Sequence, residues 1–384
     1  AGAGAPKRAA RKRRRGNPDL VAKIKEFNRG AKADYKQVSD KKLKGKLKLK
    51  ERLVGDATVQ AARANEWLLP ESGGYLEAEG LERTWNFQQR DIVAAVEAGA
   101  AAKAVDLRLP ELGPYAVDYT PSGRHLVLGG QKGHLAVLDA LKCGVLCEEQ
   151  VRETVHDVHF LHSEQFFAAA QRKYVYIYDK RGLEVHCLKD IGCAWKLDFL
   201  RHHFLLTAIG ESGVLHYQDT TTGQMVCSHR TRLGPCNVMR QNPWNAVMAL
   251  GHANGTVTMW TPNITTPVVK LLTHRGPVRA LAVDPTGRFM ATAGADSQVK
   301  VWDVRMLRQQ HAYFSHAPCE YLDISQKGML AVGFGRRVQV WKDALAEKAS
   351  GPYMSHTFTG GTLSGLRFCP YEDVLAGGHS GGLT

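Results

Sequence analysis

The sequence predicts an all-β chain, a seven-bladed β-propeller that follows a basic, partly helical N-terminal extension. Three observations carry this prediction. A pattern of apolar strand, turn, apolar strand, glycine-containing turn and third strand recurs at intervals of about 40 residues between Val117 and Asp343. The third strand of each copy ends in a similar way, and most of the excess positive charge precedes the first copy. One copy cannot bury its own two faces, so the copies must stack around an axis.

The endings of the third strands indicate the kind of propeller. Most place a Trp, Tyr or Leu directly before an Asp or another polar residue, which is typical of WD repeats. The six endings are Val137-Leu138-Asp139, Ile177-Tyr178-Asp179, His216-Tyr217-Gln218-Asp219, Met259-Trp260-Thr261, Val301-Trp302-Asp303 and Val340-Trp341-Lys342.

The turn between the first two strands is clearest in the fifth copy. There Val278 to Val283 leads through Asp284-Pro285-Thr286-Gly287 into Arg288 to Ala293. Asp118 to Gly123 gives the first copy the same turn. Proline and glycine set the dihedral angles of such turns, and the flanking apolar runs predict the interior of a sheet.

A seventh copy begins at Leu366 and is interrupted by the end of the sequence after Gly381. Propellers close by pairing strands from both ends of the chain within one blade, which removes the exposed sheet edge. The alternating segment Ala104 to Leu109 is therefore predicted to be the outer strand of the seventh blade. We expect the rest of that blade to lie beyond residue 384.

The charge is unevenly distributed along the chain. The formal net charge is +14, yet residues 1–66 hold 20 Lys and Arg against 7 Asp and Glu, whereas residues 67–384 hold 31 against 30. We therefore divide the chain into a basic arm (1–80), a helical lead-in (81–103) and the propeller (104–384). A concentrated basic arm is typical of proteins that bind a polyanion, most often a nucleic acid.

Several classes of function are disfavoured by what the sequence lacks. The eight cysteines form no CxxC pair, which favours reduced, buried thiols over a zinc site. No apolar run reaches the roughly 18 residues that a membrane span needs, and the basic start lacks the apolar stretch of a secretory signal. We expect no membrane, metal, cofactor or small-molecule substrate.

The arm and the lead-in carry three helix signals. Residues 1–16 hold seven basic residues and no acid, so we expect them to be disordered when free. Asn17-Pro18-Asp19 predicts the start of a helix that ends by Gly30, and a second helix is predicted from Ser39 or Asp40 towards Leu69. In the lead-in, Asp91 to Lys103 is predicted to form one short helix.

The basic residues of the arm allow three interpretations. They could form a solubilising tail, a nuclear import signal at Arg11 to Arg15, or a surface that binds RNA or DNA phosphates. We favour phosphate binding, which is compatible with import, because so many cations would release many counterions. Aromatic residues that could stack on bases are few there, so we expect contacts to the backbone rather than to sequence. The candidate RNA-binding residues are Lys7, Arg8, Arg11, Lys12, Arg13, Arg14, Arg15, Lys41, Lys42, Lys44, Lys46, Lys48 and Lys50.

Other polar motifs are better explained by the repeats than by chemistry. In the fifth copy, four residues stand where WD repeats place a buried hydrogen-bonded set, and we assign them a structural role rather than acid–base catalysis. They are His274, Thr292, Asp296 and Trp302. The spacing of His156, His159 and His162 fits no single face of a helix or strand, which disfavours a metal site. Recurring Gly-His pairs, such as Gly251-His252, are interpreted as turns, and Gly129 to Gly133 as a hairpin rather than a phosphate loop.

Several longer stretches resemble the eukaryotic BING-type WD-repeat protein of the small-subunit processome, from about Leu81 to the end of the chain. Among them are Leu81-Glu82-Arg83-Thr84, Gly113-Pro114-Tyr115, Gly129 to Ala136, Ala170 to Asp179, His203-Phe204-Leu205-Leu206, Gln241 to Ala246 and Leu250 to Val257. The arm resembles the family in character more than in identifiable residues. The family carries a further C-terminal domain after the propeller, which we expect to be absent here.

The resemblance implies a nucleolar, non-enzymatic assembly factor. Such a protein organises precursor ribosomal RNA, a small nucleolar RNA and several processome proteins during maturation of the small-subunit RNA. An alternative is a WD-repeat adaptor of another nuclear complex, a ubiquitin ligase or a chromatin-associated assembly. A propeller enzyme would require perturbed titratable groups at the mouth of the central channel, which the sequence does not suggest.

Overall fold

The computed structural model describes residues 38–68, 82–96 and 98–384, together with residues 24–25, 27–28, 30, 76 and 78. The chain divides into two compact units, residues 1–76 and residues 77–384. Among the described residues, no helix combines the length and the apolar character required to span a bilayer.

The described part of the first unit contains one long helix, α1, Lys41–Leu68. Asp40 begins it, because its carboxylate accepts a hydrogen bond from the backbone N–H of Lys42 at 2.9 Å, satisfying one of the free donors at the helix start. The predicted second helix of the arm is thus confirmed within two residues. The helix predicted from Asn17 falls mostly outside the described residues.

The lead-in contains a 3₁₀ turn, Thr84–Asn86, and two short helices, α2 at Gln89–Ala95 and α3 at Ala98–Ala101. The single helix predicted for Asp91 to Lys103 is therefore wrong. The helix begins earlier, where the carboxylate of Asp91 reaches back to the backbone N–H of Gln88, and it ends at Val96, whose backbone is extended. β-Branched Val96 has little helix propensity, so the alanine-rich run resumes only as a second, shorter helix.

The second unit consists mainly of seven four-stranded antiparallel sheets. Blade 1 is β2 Tyr115–Tyr119, β3 His125–Gly130, β4 His134–Asp139 and β5 Gly144–Gln150. Blade 2 is β6 Val155–Phe160, β7 Phe166–Gln171, β8 Tyr174–Asp179 and β9 Glu184–Gly192. Blade 3 is β10 Ala194–Leu200, β11 Leu205–Gly210, β12 Val214–Asp219 and β13 Met225–Arg230. Blade 4 is β14 Cys236–Gln241, β15 Met248–His252, β16 Thr256–Trp260 and β17 Val269–Leu272.

The remaining blades continue in chain order. Blade 5 is β18 Val278–Val283, β19 Phe289–Gly294, β20 Gln298–Asp303 and β21 Arg308–Phe314. Blade 6 is β22 Tyr321–Ile324, β23 Leu330–Phe334, β24 Arg337–Trp341 and β25 Met354–Thr357. Blade 7 is β26 Leu363–Phe368, β27 Leu375–His379, β28 Gly382–Leu383 and β1 Leu107–Arg108. The predicted seven-bladed propeller is confirmed.

Blade 7 closes the ring with strands from both ends of the unit. Leu107 pairs with Leu383 and Arg108 with Gly382, so the predicted outer strand from the lead-in is confirmed, although it is shorter than Ala104 to Leu109. The expectation that the rest of this blade lies beyond residue 384 is wrong, because Gly382–Leu383 already supplies its third strand. A strand of two residues carries too little pattern to be recognised in the sequence.

In the described part of the second unit, the core consists of seven clusters of buried apolar side chains, and each cluster lies between two neighbouring blades. The cluster between blades 1 and 7, for example, joins Tyr115 and Leu128 to Ala376 and Leu383. The outermost strands contribute little; in β5 only Cys147 is buried. Stability therefore comes from contacts between blades, which is the physical reason that the repeats must form a closed ring.

Candidate nucleic-acid interface and buried polar networks

The six candidate lysines Lys41, Lys42, Lys44, Lys46, Lys48 and Lys50 all lie on helix α1, and all are exposed. At 1.5 Å per residue they span only about 14 Å of the helix axis. Residues three and four apart share a face, so the cations form two rows. One row is Lys42, Lys46 and Lys50, and the other is Lys41, Lys44, Lys48 and Arg52.

This arrangement is electrostatically unfavourable for an isolated helix. Like charges at i and i+4 repel by a few tenths of a kcal/mol per pair, and the cations of the first turn oppose the partial positive charge of the helix start. Asp40 at the N-cap partly offsets this charge, but the first turn itself contains no acidic residue. Phosphates along the two rows would remove both penalties.

The other seven candidates of the arm lie outside the described residues: Lys7, Arg8, Arg11, Lys12, Arg13, Arg14 and Arg15. The apolar side chains of helix α1 are only partly buried. Leu47 and Val54 are half-buried, whereas Leu43, Leu49 and Leu53 are 48%, 58% and 59% exposed. The described part of the helix therefore presents leucines as well as lysines to solvent.

The structure brings the four residues of the fifth blade together in one chain of hydrogen bonds. Trp302 Nε1 donates to Thr292 Oγ1 at 3.1 Å, and that hydroxyl lies 2.9 Å from Nε2 of His274. Nδ1 of His274 lies 3.0 Å from the carboxylate of Asp296. Burial lowers the pKa of His274, although Asp296 opposes this shift. The imidazole is thus neutral near pH 7, with Nδ1–H donating to Asp296 and Nε2 accepting from Thr292.

Blade 4 contains a shorter version of this chain that the sequence interpretation missed. Trp260 Nε1 donates to Thr258 Oγ1 at 2.8 Å, and the hydroxyl lies 2.7 Å from Nε2 of His252. His252 ends β15 and opens the following turn, where its carbonyl accepts a hydrogen bond from the N–H of Gly255 at 3.2 Å, while its side chain is completely buried in this network. Burial lowers the pKa of His252 to about 4. A histidine six residues before Thr258 and eight before Trp260 was the available signal.

A ring of charged side chains lines the inner strands, and the sequence interpretation missed it too. Six blades place a polar residue near the end of the first strand, opposite the second or third residue of the second strand, and blade 5 places Ala282 there. The six are Asp118, His159, Asp198, Arg240, Asp323 and Arg367. Their signs alternate around the ring wherever neighbouring members are charged.

The members of this inner ring contact one another across blade boundaries. Nδ1 of His159 lies 2.7 Å from Asp118, and Nε2 lies 3.5 Å from Asp198. Arg367 reaches Asp118 at 3.4 Å and Asp323 at 3.9 Å, while Arg240 reaches Asp323 at 3.8 Å past the alanine of blade 5. Burial disfavours ionisation of Asp118, but His159 and Arg367 hold its pKa below the usual range.

Three aspartates of the ring also hold the backbone of the next blade. Asp118 accepts from the N–H of Phe160 at 3.1 Å, Asp198 from Gln241 at 2.9 Å and Asp323 from Phe368 at 2.7 Å. The ring therefore ties blades together near the axis. Its titratable groups are engaged with one another, which is the pattern of a structural network rather than of a free acid–base pair.

The motifs considered as possible metal or phosphate sites also have structural roles in the propeller. His159 belongs to the inner ring, while exposed His162 lies beside the rings of Phe166 and Phe204. Within the described part of the chain, no group of His, Cys, Asp or Glu is arranged to hold a metal ion. Gly129 to Gly133 forms the hairpin between β3 and β4, where Gly133 has a φ of 99° and its N–H donates to Gly130 O at 2.9 Å.

Comparison with known proteins decides the family. Residues 265–303 match the model of the WD domain, G-beta repeat, and residues 352–384 match the BING4CT (NUC141) domain. The chain is 45% identical over 377 residues to U3 small nucleolar RNA-associated protein 7 of Saccharomyces cerevisiae, covering 93% of this chain and 68% of that protein. The chain belongs to this BING4CT-containing WD-repeat family. The predicted resemblance to a BING-type WD-repeat protein of ribosome biogenesis is confirmed.

Two mammalian relatives agree. WD repeat-containing protein 46 of Mus musculus is 43% identical over 96% of this chain, and that of Homo sapiens is 42% identical over the same share. The chain spans 59% and 60% of the length of these two proteins.

The BING4CT match also corrects an expectation. The matched segment contains β25 of blade 6 and β26 to β28 of blade 7, so it lies inside the propeller. We expected the family's C-terminal domain to follow the propeller and to be absent. For this segment that expectation is wrong, because the closing strands of the ring are themselves part of the matched domain.

Proposed function

We propose that this protein is a non-catalytic scaffold of small ribosomal subunit biogenesis that acts in the nucleolus. The basic arm would bind phosphates of precursor ribosomal RNA and of a small nucleolar RNA, and the propeller would dock proteins of the small-subunit processome. The family relationship supports the setting, and one relative is named for its association with U3 small nucleolar RNA.

The observation that carries the RNA contact is the double row of lysines on helix α1. Six exposed lysines lie within ten residues, 41–50, and the first turn of the helix contains no acid. These lysines repel one another in the free protein. A polyanion converts this repulsion into favourable contacts and releases its own counterions. The charge pattern carries no code for bases, so we assign it to the sugar–phosphate backbone.

The propeller supports the scaffolding half of the proposal. Several of its buried histidines and aspartates belong to hydrogen-bonded networks, as in the fifth-blade set His274, Thr292, Asp296 and Trp302, to which we assign a structural role. A rigid ring with turns on both faces is suited to holding several partners at fixed positions.

The RNA contact is tested by the salt dependence of binding. The full chain and a variant with all six lysines of α1 changed to glutamine are titrated with a 5′-labelled single-stranded RNA between 50 and 300 mM salt. Six lost phosphate contacts should lower the slope of log K against log salt by up to about 4, from roughly 0.7 per contact.

The matched control changes six exposed propeller lysines to glutamine, namely Lys142, Lys173, Lys180, Lys189, Lys270 and Lys348. The control should keep the slope of the unmodified protein. An equal loss of slope in both variants would contradict the proposal, because the RNA would then respond to net charge alone. An unchanged slope in the α1 variant would also contradict it and would favour an adaptor of another nuclear complex.

A further inference from the structure

Trp244 lies in the turn between β14 and β15 of blade 4 and is 80% exposed. Hydrogen bonds of the Asn242 side chain hold this turn in place. Asn242 accepts a hydrogen bond from the N–H of Trp244 at 3.0 Å and donates its own side-chain N–H to Gly287 O of blade 5 at 3.2 Å. A large aromatic side chain is therefore presented to solvent on a fixed backbone.

Gly287 of blade 5 lies against the Cβ of Trp244, where a larger residue would not fit. Gly287 has a φ of 72°, and a Cβ at that position would lie 2.6 Å from the Cβ of Trp244. The turn of blade 5 thus packs closely against the stem of the tryptophan while the indole stays free. With its backbone and Cβ held, Trp244 has only two side-chain torsions to order on binding, and tryptophan is among the residues that dominate interface energies.

A groove of about 1010 Å³ lies beside Trp244, between turns of blades 4, 5 and 6. Buried Phe289 and Leu345 are among its apolar lining residues. Its polar lining includes Gln326, whose side-chain oxygen accepts a hydrogen bond from the N–H of Tyr371 at 3.0 Å. Tyr371 is itself 79% exposed, so the face around the groove carries a second exposed aromatic residue.

The exposed charges of the groove are mainly positive. Arg288, Arg305 and Lys327 line it and are exposed, against one exposed acid, Asp343. Asp284 also lines the groove but is buried and accepts a hydrogen bond from the hydroxyl of Thr286.

The three cations differ in how far they are already paired. Arg288 lies 3.7 Å from Asp303, and Lys327 lies 3.9 Å from exposed Asp373. The guanidinium of Arg305 has no hydrogen bond or ion pair to any residue that the structure describes. Its charge is therefore available to a partner.

We propose that this groove is a docking site for an acidic peptide segment of a partner protein, with one bulky apolar residue packed on Trp244 and carboxylates on Arg305 and Lys327. The proposal rests on the scaffolding role of the propeller and gives it a location and a chemistry. Charge complementarity selects the acidic residues, and the apolar lining selects a peptide side chain over a nucleotide, whose sugar and phosphate would leave that lining uncovered.

The test uses a library of random twelve-residue peptides selected on the full chain. Enriched sequences should combine net negative charge with a Trp, Phe or Leu. For a labelled enriched peptide, Trp244→Ala should weaken binding at least about tenfold, as loss of an interface anchor does. Arg305→Glu should weaken it at least about fivefold and flatten its salt dependence.

Two matched controls should leave the peptide affinity within about twofold. Phe314→Ala removes an aromatic side chain that is 78% exposed on β21, and Lys142→Glu reverses an exposed charge in the β4–β5 turn. Absence of any enriched acidic peptide, or equal binding to the Trp244→Ala variant, would overturn the proposal.

Binding of a twelve-nucleotide oligouridine distinguishes this site from the RNA contacts of the arm. Its binding should be unaffected by Trp244→Ala and should depend on the lysines of α1. If Trp244→Ala weakened oligouridine binding, the groove would be an RNA site and the peptide proposal would fail. If the α1 variant bound oligouridine as tightly as the unmodified protein, the RNA-binding role of the arm would be ruled out. The peptide site would not be affected by that result.

Discussion

Replacing Arg367 by methionine tests whether the inner ring of charges holds the propeller closed. Arg367 lies between Asp118 and Asp323 at 3.4 and 3.9 Å, and its side chain is 24% exposed. Methionine keeps most of the volume but leaves two poorly solvated carboxylates without this cation. Removing one partner of a buried ion pair costs about 3–5 kcal/mol. The midpoint of thermal unfolding should therefore fall by on the order of 10 °C.

The dependence on pH separates this effect from simple loss of packing. Burial opposes ionisation of Asp118, yet His159 and Arg367 lower its pKa in the folded state. Its contribution to stability is then present above the unfolded pKa of about 4 and is lost as the pH falls towards the folded pKa. The difference in unfolding free energy between the two proteins should accordingly shrink below about pH 4. A packing defect would give a difference that does not change with pH.

The assay is urea unfolding of the full chain followed by tryptophan fluorescence, from pH 3 to pH 8. Lys327→Met is the control, because Lys327 and Asp373 lie 3.9 Å apart with side chains that are 71% and 86% exposed. Such surface pairs contribute about 0–1 kcal/mol. An Arg367→Met effect no larger than that of Lys327→Met, or one that persists unchanged at pH 3, would show that the inner ring does not hold the propeller closed.

Two further predictions concern the buried histidine networks. Thr292→Val leaves Trp302 Nε1 and His274 Nε2 without their shared hydroxyl, so the unfolding free energy should fall by about 2–4 kcal/mol, as measured by urea unfolding. A loss below 0.5 kcal/mol would show that the network does not stabilise blade 5. Because burial lowers the pKa of His252 to about 4, the unfolded chain takes up its proton first as the pH falls, and stability should drop between about pH 6.5 and 4 by up to about 3 kcal/mol. His252→Gln should reduce that drop in the same urea series, and an unchanged pH profile would contradict it.

The sequence predicted the features that repeat with a clear period. Seven blades, the third-strand endings and the closing strand from the lead-in followed from spacing, since apolar strands and Pro-Gly turns are locally encoded. The inner ring was missed because its members are about 40 residues apart and differ in type. The one available signal was their shared position in the first strand of each blade. Asp118 directly precedes Tyr119, and His159 directly precedes Phe160.

The candidate interfaces show a similar division. Helix α1 and its lysines followed from helical spacing and from the acid at Asp40, which are local signals. The groove beside Trp244 depends on turns from three blades that meet only after the ring closes. No local sequence pattern predicts that these distant turns lie side by side. The turn Asn242 to Ala246 was, however, already among the distinctive stretches of the sequence.

In the proposed function, the arm contacts RNA while the propeller serves as a rigid hub. The most direct test of this function is ultraviolet crosslinking of the protein in particles purified from nuclear extract, with mass spectrometry to locate the crosslinked peptides and sequencing to identify the RNA. We predict crosslinks within residues 1–66, including the Lys41 to Lys50 segment, to precursor ribosomal RNA or a small nucleolar RNA. Crosslinks confined to the propeller, or an arm without any RNA attached, would show that the arm is not the RNA-binding part of this protein.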